Sequence, residues 1–303
     1  MELIFLINLN FTGWTALHWA CKTGDREIVE ILVNQCRANP TIKTKNGSSP
    51  IHLAIAEGHN KIVDTLLISQ KNLISSMNDK TGWFPIHTAA YYKQEECINI
   101  LVRHGADVLQ PTEEISGSTF STFHLAAYKQ LSHNLTTIKR KDTVNRHIKR
   151  SISDRGDSNN GEAEESPCTK TTIDSLLKHL KPKQMMIIDE GNYGSILHVL
   201  SGIDHHEGVK KISSSPFNHP VNILNSHGIS PLLMALEARS LQSALELLKL
   251  DVDISLKHPA LDQTPLQILL QKASSIQDVH LSIVQLLLNK GKGSYHFLKS
   301  LIR

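Results

Sequence analysis

Apolar residues along this chain fall into pairs of short clusters that recur at a nearly constant interval. The first pair holds Leu17, Trp19, Ala20 and Cys21, then Ile28, Val29, Leu32 and Val33; the second pair closes on Ile62, Val63, Leu66 and Leu67. Spacings of three and four residues predict amphipathic helices, with one face of each turned inward. Gly24 and Gly58 stand between the clusters and predict the end of the first helix in each pair. The repeating unit is therefore two short antiparallel helices, and Trp19 is expected in its core.

A short motif precedes each first helix. Gly13-Trp-Thr-Ala-Leu-His18 returns as Gly47-Ser-Ser-Pro-Ile-His52, Gly82-Trp-Phe-Pro-Ile-His87 and Gly228-Ile-Ser-Pro-Leu-Leu233, with weaker echoes ending at His124, His198 and Gln267. The steps between the final residues are 34, 35, 37, 74, 35 and 34. A constant period of this size marks stacked repeats. The glycines suit a left-handed turn. Thr15, Ser49 and Ser230 are placed as helix N-caps, and Pro50, Pro85 and Pro231 sit where the first helical turn needs no N–H.

These residues resemble ankyrin repeats, whose unit carries a Thr-Pro-Leu-His tetrapeptide. The resemblance runs from Gly13 to about Gly291 and implies an all-α solenoid of stacked helix-turn-helix units with short β-turn fingers. Its expected divisions are residues 13–46, 47–81, 82–116, 117–190, 191–227, 228–261 and 262–291. A lead-in, residues 1–12, comes before them and a tail, residues 292–303, after them. The fourth and fifth units depart most from the family pattern. In the third, Lys93-Gln94 replaces the glycine between the helices, and in the fifth Ser213-Ser-Ser-Pro-Phe217 breaks the second helix.

The step of 74 residues is explained by an insertion of about residues 131–170 between the helices of the fourth unit. It lacks aromatic residues and holds few apolar ones, so it is expected to remain disordered. Its charges are uneven. Lys139, Arg140, Lys141, Arg146, Lys149 and Arg150 come first, and Asp154, Asp157, Glu162, Glu164 and Glu165 follow. The halves would partly neutralise each other on a solvated loop, although two basic clusters also resemble a nuclear import signal. Ser151, Ser153 and Ser166 are candidate phosphorylation sites, where a phosphate would face the arginines.

Composition narrows the function. Of 303 residues, 20% are charged and the formal charge is +3, which gives no case for a nucleic-acid protein. Cys21, Cys36, Cys97 and Cys168 show no paired spacing, which favours a reducing cytoplasm, with the nucleus as the alternative. The apolar run at Leu3–Leu9 lacks the flanks of a signal peptide and reads as an extended lead-in over the exposed side of the first unit. No later run approaches the length of a membrane span.

Five of the 17 histidines, His18, His52, His87, His124 and His198, belong to the motif, one in each of five units. Copies one layer apart stand too far from each other to share a metal, and they read as hydrogen-bonding bridges between adjacent turns. His205-His206 with Glu207 is a dense cluster whose side chains diverge on a helix. No nucleophile elbow, phosphate-cradling loop or dinucleotide fingerprint is present, so neither catalysis nor a cofactor is expected. The ankyrin resemblance implies partner contact at turn tips and at the open edge of each first helix. In this chain those positions are Trp14, Ser48 and Trp83, then Lys22, Thr23, Glu57, Tyr91 and Tyr92. The expected function is a monomeric scaffold or adaptor that binds a protein on its concave face. A recruiting subunit of a ubiquitin ligase or kinase assembly is one alternative, and contact of the basic insert with nucleic acid or acidic lipid is another.

Overall fold

The structure is a computed structural model of the chain, and it describes residues 13–113, 120–134, 167–180, 194–214, 220–272 and 278–291. The expectations for the lead-in, the tail, the six basic residues of the insert and Ser151, Ser153 and Ser166 lie outside the described residues.

Two compact units are present, with a boundary after Ala126. Unit 1 contains α1 (Ala16–Thr23), α2 (Arg26–Glu30), α3 (Pro50–Ala56), α4 (Asn60–Ser69), α5 (Pro85–Tyr91), α6 (Glu95–Arg103), the start of α7 (Thr122–Asn134) and α8 (Pro167–His179). Here α1, α3 and α5 pack side by side in one row, while α2, α4 and α6 form a second row to which α8 is added. Unit 2 contains α9 (Ile196–Gly202), α10 (His206–Ser213), α11 (Pro231–Glu237), α12 (Leu241–Leu248), α13 (Pro265–Lys272) and α14 (Asp278–Lys290). It shows the same two rows, α9, α11 and α13 against α10, α12 and α14.

The core of each unit is the predicted set of apolar clusters. Ile51, Ile55, Val63, Leu66, Ile98 and Leu101 are fully buried in unit 1, as are Leu197, Val209, Leu233, Leu247 and Ile283 in unit 2. Each such side chain contributes roughly 1.5–3 kcal/mol. No single hairpin buries them alone: the apolar face of one pair is covered only when the next pair stands against it.

The turn between the two helices of a pair needs one residue in the left-handed region. Gly24 and Gly58 supply it at φ 84° and 78°. Lys93, Asp204 and Arg239 occupy the same place in later pairs and adopt φ 58°, 55° and 59°. The loss of glycine therefore changes the strain but not the backbone path. Motif glycines are constrained by neighbours as well: a Cβ on Gly47 would come within 2.6 Å of the Asp79 nitrogen in the next finger.

Three expectations are corrected by the fold. Residues 131–134 and 167–170, taken as loop, are helical ends of α7 and α8, because Leu131 packs against Gly202 and Thr169 is buried. Ile28, expected inside α2, is 47% exposed. Ser49 makes no cap bond to the backbone; its hydroxyl pairs instead with His52 Nδ1 at 2.8 Å. The second helix of the first pair also departs from a regular form, since α2 continues as a π-turn over Ile31–Gln35. The predicted break in the fifth unit is seen, with α10 ending at Ser213.

Candidate partner-binding surface

The motif histidine fastens each turn to its helix and, in several pairs, to the following finger. Ser195 N–H donates to His198 Nδ1 at 3.0 Å, and Phe84 N–H donates to His87 Nδ1 at 3.1 Å. An Nδ1 that accepts leaves the proton on Nε2. That proton is given to a backbone carbonyl of the next finger: His52 to Trp83 O at 3.1 Å, His87 to Gln110 O at 2.6 Å and His198 to Ile229 O at 3.0 Å. These are the predicted bridges. At His18 the Ser48 and Ile42 backbone only partly offsets burial, which lowers its pKa to about 4.

Gln267 explains how the motif survives without histidine. Its Oε1 accepts from Thr264 N–H at 2.8 Å, so the cap is kept. The fingers have a second device, an asparagine whose carboxamide folds the turn. Asn78 Oδ1 accepts from Lys80 and Thr81, and Asn225 Oδ1 accepts from His227 and Ile229. This role was missed in the sequence, where the signal was Asn78 four residues before Gly82 and Asn225 three before Gly228, among many other asparagines.

On this frame unit 1 carries two aromatic groups. In the first pair the Trp14 and Trp19 rings lie 4.7 Å apart, and Lys22 Nζ stands 6.0 Å from the Trp14 ring. Lys22 also faces Glu57 at 3.4 Å, and its carbonyl accepts from His59 Nε2 at 3.1 Å. Both partners of that ion pair are substantially exposed, so the pair orients side chains more than it stabilises the fold. Thr23 is exposed at the same helix end and returns its hydroxyl to Trp19 O. In the third pair Trp83, Tyr91 and Tyr92 form a chain of contacts, with centroids 5.0 Å and 5.2 Å apart. Burial, and then the neighbouring Tyr92, raises the Tyr91 hydroxyl above the usual phenol range, so it stays a neutral donor.

Exposure separates the eight predicted positions. Trp14, Lys22, Thr23, Glu57, Tyr91 and Tyr92 retain accessible surface. Ser48 and Trp83 do not: Ser48 accepts from Asn78 Nδ2 at 2.8 Å, and Trp83 is only 7% exposed. Their expected place on an open tip is corrected: Asn78 of the adjoining finger closes over Ser48, and the Trp83 ring lies against Tyr91. Trp19 is the opposite correction. Expected as core, it is 51% exposed, because its slot is closed in later pairs by a preceding hairpin.

The remaining reactive groups are arranged for packing. Burial pushes the Cys97 thiol up to about 12, with Glu96 adding to the rise, and Cys21 is also raised by burial. A thiol that remains protonated is a poor nucleophile. His205 caps α10 by accepting from Gly208 N–H at 3.0 Å, so it is a structural residue. Among the described residues no helix is long and apolar enough to cross a membrane.

Paired helices, a glycine or left-handed residue between them, and a capped turn that reaches the next finger define a helical-repeat protein. Within that class, residues 2–75 and 36–112 carry ankyrin repeats, matching the family described as Ankyrin repeats (3 copies). The E3 ubiquitin-protein ligase KEG of Arabidopsis thaliana is 34% identical over 98 residues, which is 32% of this chain and 6% of that protein. The nuclear factor NF-kappa-B p105 subunit of Gallus gallus is 37% identical over 119 residues, 38% of this chain and 12% of its own length. The chain thus matches only a small part of either relative. The solved ankyrin repeat domain of human ASB11 has a TM-score of 0.61 at 16% identity and covers 90% of this chain and 98% of its own, which shows a shared fold. Ankyrin repeats are a module of protein–protein interaction.

Proposed function

We propose that this chain is a non-catalytic scaffold or adaptor whose protein partner docks on unit 1, across the open ends of α1, α3 and α5. The observation that carries the reading is the accessible edge formed by Lys22, Thr23, Glu57, Tyr91 and Tyr92, with Trp14 beside it. Tyrosine and tryptophan recur among residues that dominate binding energy, because they bury a large area with few rotors. The edge is also held in place beforehand by the capped turns, which lowers the ordering cost of association.

The experiment is affinity capture from the native cell with wild-type chain and with the Tyr91→Ala/Tyr92→Ala variant, followed by binding measurements on each protein retained. The proposal requires at least one partner whose dissociation constant rises by about tenfold to a hundredfold in the variant. Equal retention by a folded variant rejects it. Recruitment of a substrate to a ubiquitin ligase is a second reading, supported by the ligase among the relatives. It predicts a ligase in the wild-type capture together with a protein that becomes ubiquitinated. The cytoplasm, with the nucleus as alternative, is the proposed location, and fractionation tests it.

A further inference from the structure

The chain leaves the second helix of the first pair by a different route from the one it takes in the third. There, Leu101 O accepts from Ala106 N–H, five residues on, and Gly105 takes the left-handed place at φ 105°. Leu32 holds the position of Leu101 in the first pair, yet its carbonyl accepts from Ala38 N–H, six residues on, at 2.8 Å. The π-turn over Ile31–Gln35 supplies the additional residue, closed by Cys36 N–H donating to Ile31 O at 3.0 Å. Arg37 therefore stands where the third pair has glycine, at φ 53°. A long side chain is strained in that region, and both π-turns and such outliers recur where a site has been shaped.

Arg37 lines a cleft of about 410 Å³ between this exit turn and the end of α4. Ligand sites typically span roughly 300–1,000 Å³. Val33 and Pro40 give the cleft an apolar lining, and Asn34, Asn39 and Gln70 bring carboxamides to its wall. Asn39 Oδ1 already accepts from the Thr41 N–H and hydroxyl, at 2.9 Å and 2.7 Å, so its Nδ2 is the group left to donate. No acidic side chain lines the cleft, and among the described residues Arg37 has no ion-pair partner. The lining is thus rich in donors and carries one positive charge.

We propose that this cleft takes the acidic side chain of an extended peptide segment from a protein partner. Arg37 pairs with the carboxylate, which a planar guanidinium holds through two parallel N–H donors. The carboxamides of Asn34, Asn39 and Gln70 pair with the N–H and C=O groups of the peptide backbone. A single guanidinium matches a single negative charge, whereas a phosphate brings nearly two and no second cation lines the cleft. The cleft lies at the far end of the second helices from the Gly24 and Gly58 turns, so it is separate from the edge at Lys22, Tyr91 and Tyr92 and does not depend on that reading.

For the test, random decapeptides displayed on phage are selected on the full-length chain. Recovered peptides are synthesised and titrated against wild type, Arg37→Gly and Tyr91→Ala/Tyr92→Ala. Arg37→Gly removes the cation while relieving the left-handed strain, so its urea midpoint should equal or exceed that of wild type. The proposal requires peptides with a common Asp or Glu whose binding weakens by about tenfold to a hundredfold in Arg37→Gly, and equally when that acid is changed to its amide. Amide shifts on binding should centre on Asn39 and Gln70, and the tyrosine variant should bind as wild type. Recovery of no peptide, or of peptides indifferent to Arg37→Gly, overturns the proposal. Tighter binding with phosphoserine in place of the acid also overturns it, and a lower urea midpoint for Arg37→Gly does the same by assigning Arg37 to the fold.

Discussion

The pKa of His18 makes a pH-dependent opening of the first hairpin the sharpest consequence of this structure. The ring is fully buried, its Nδ1 accepts from Thr15 N–H at 3.1 Å, and burial lowers its pKa from 6.5 to about 4. In the unfolded chain the group binds a proton through pH 6.5, whereas in the folded chain it resists until about pH 4. Between those values the unfolded state holds more protons, so stability falls as pH falls. The contribution is intact above pH 6.5. It declines by about 2 kcal/mol at pH 5 and approaches about 3 kcal/mol at pH 4, because a tenfold difference in proton affinity between the two states is worth roughly 1.4 kcal/mol. Amide exchange of α1 and α2 at pH 7 and pH 5, corrected for the intrinsic rate, measures the change. His18→Gln keeps an acceptor for the cap, as Gln267 does for Thr264, and removes the titration. The wild type should lose about thirtyfold more protection than the variant over this range. If both lose the same, another histidine carries the effect and the assignment to His18 is wrong.

Other changes test the remaining features of the fold. Arg239→Gly in the left-handed turn of unit 2 should stabilise that unit by about 1 kcal/mol in urea unfolding, because an exposed side chain gives up its strain at φ 59°. His198→Ala should destabilise unit 2 by about 2–4 kcal/mol, since Ser195 N–H and Ile229 O both lose a buried partner; His198→Gln should recover roughly half by keeping the cap. Glu237 and His258 are both buried and stand 3.4 Å apart, so His258→Leu should destabilise unit 2 by about 1–3 kcal/mol in thermal unfolding, the cost of removing a polar neighbour from a buried polar group.

Much of the edge proposed for partner binding could be read from residues alone. Once the motif was aligned, Lys22, Thr23, Glu57, Tyr91 and Tyr92 fell at helix ends that packing does not cover, and their accessibility in the structure follows from that spacing. Trp83 and Ser48 could not be placed in this way. The burial of Ser48 depends on Asn78 of the next finger, thirty positions away, and the Trp83 ring is packed against Tyr91 on the helix that follows it. Trp19 shows the same limit from the other side. Its position in the unit is an interior one, yet Trp19 is 51% exposed, because no described hairpin stands against that side of α1.

The sequence by itself determined the period, the paired helices, the capped turns and the histidine bridges. These follow from interactions within about ten residues, or from a register that repeats at a fixed interval. The tertiary structure alone decided which face of each hairpin is covered, how Lys93, Asp204 and Arg239 accept a glycine's backbone, and where Glu237 meets His258. The physical reason is that burial belongs to a pair of neighbours. An identical apolar slot is core when another hairpin stands against it and surface when none does, and local spacing carries no record of which case holds.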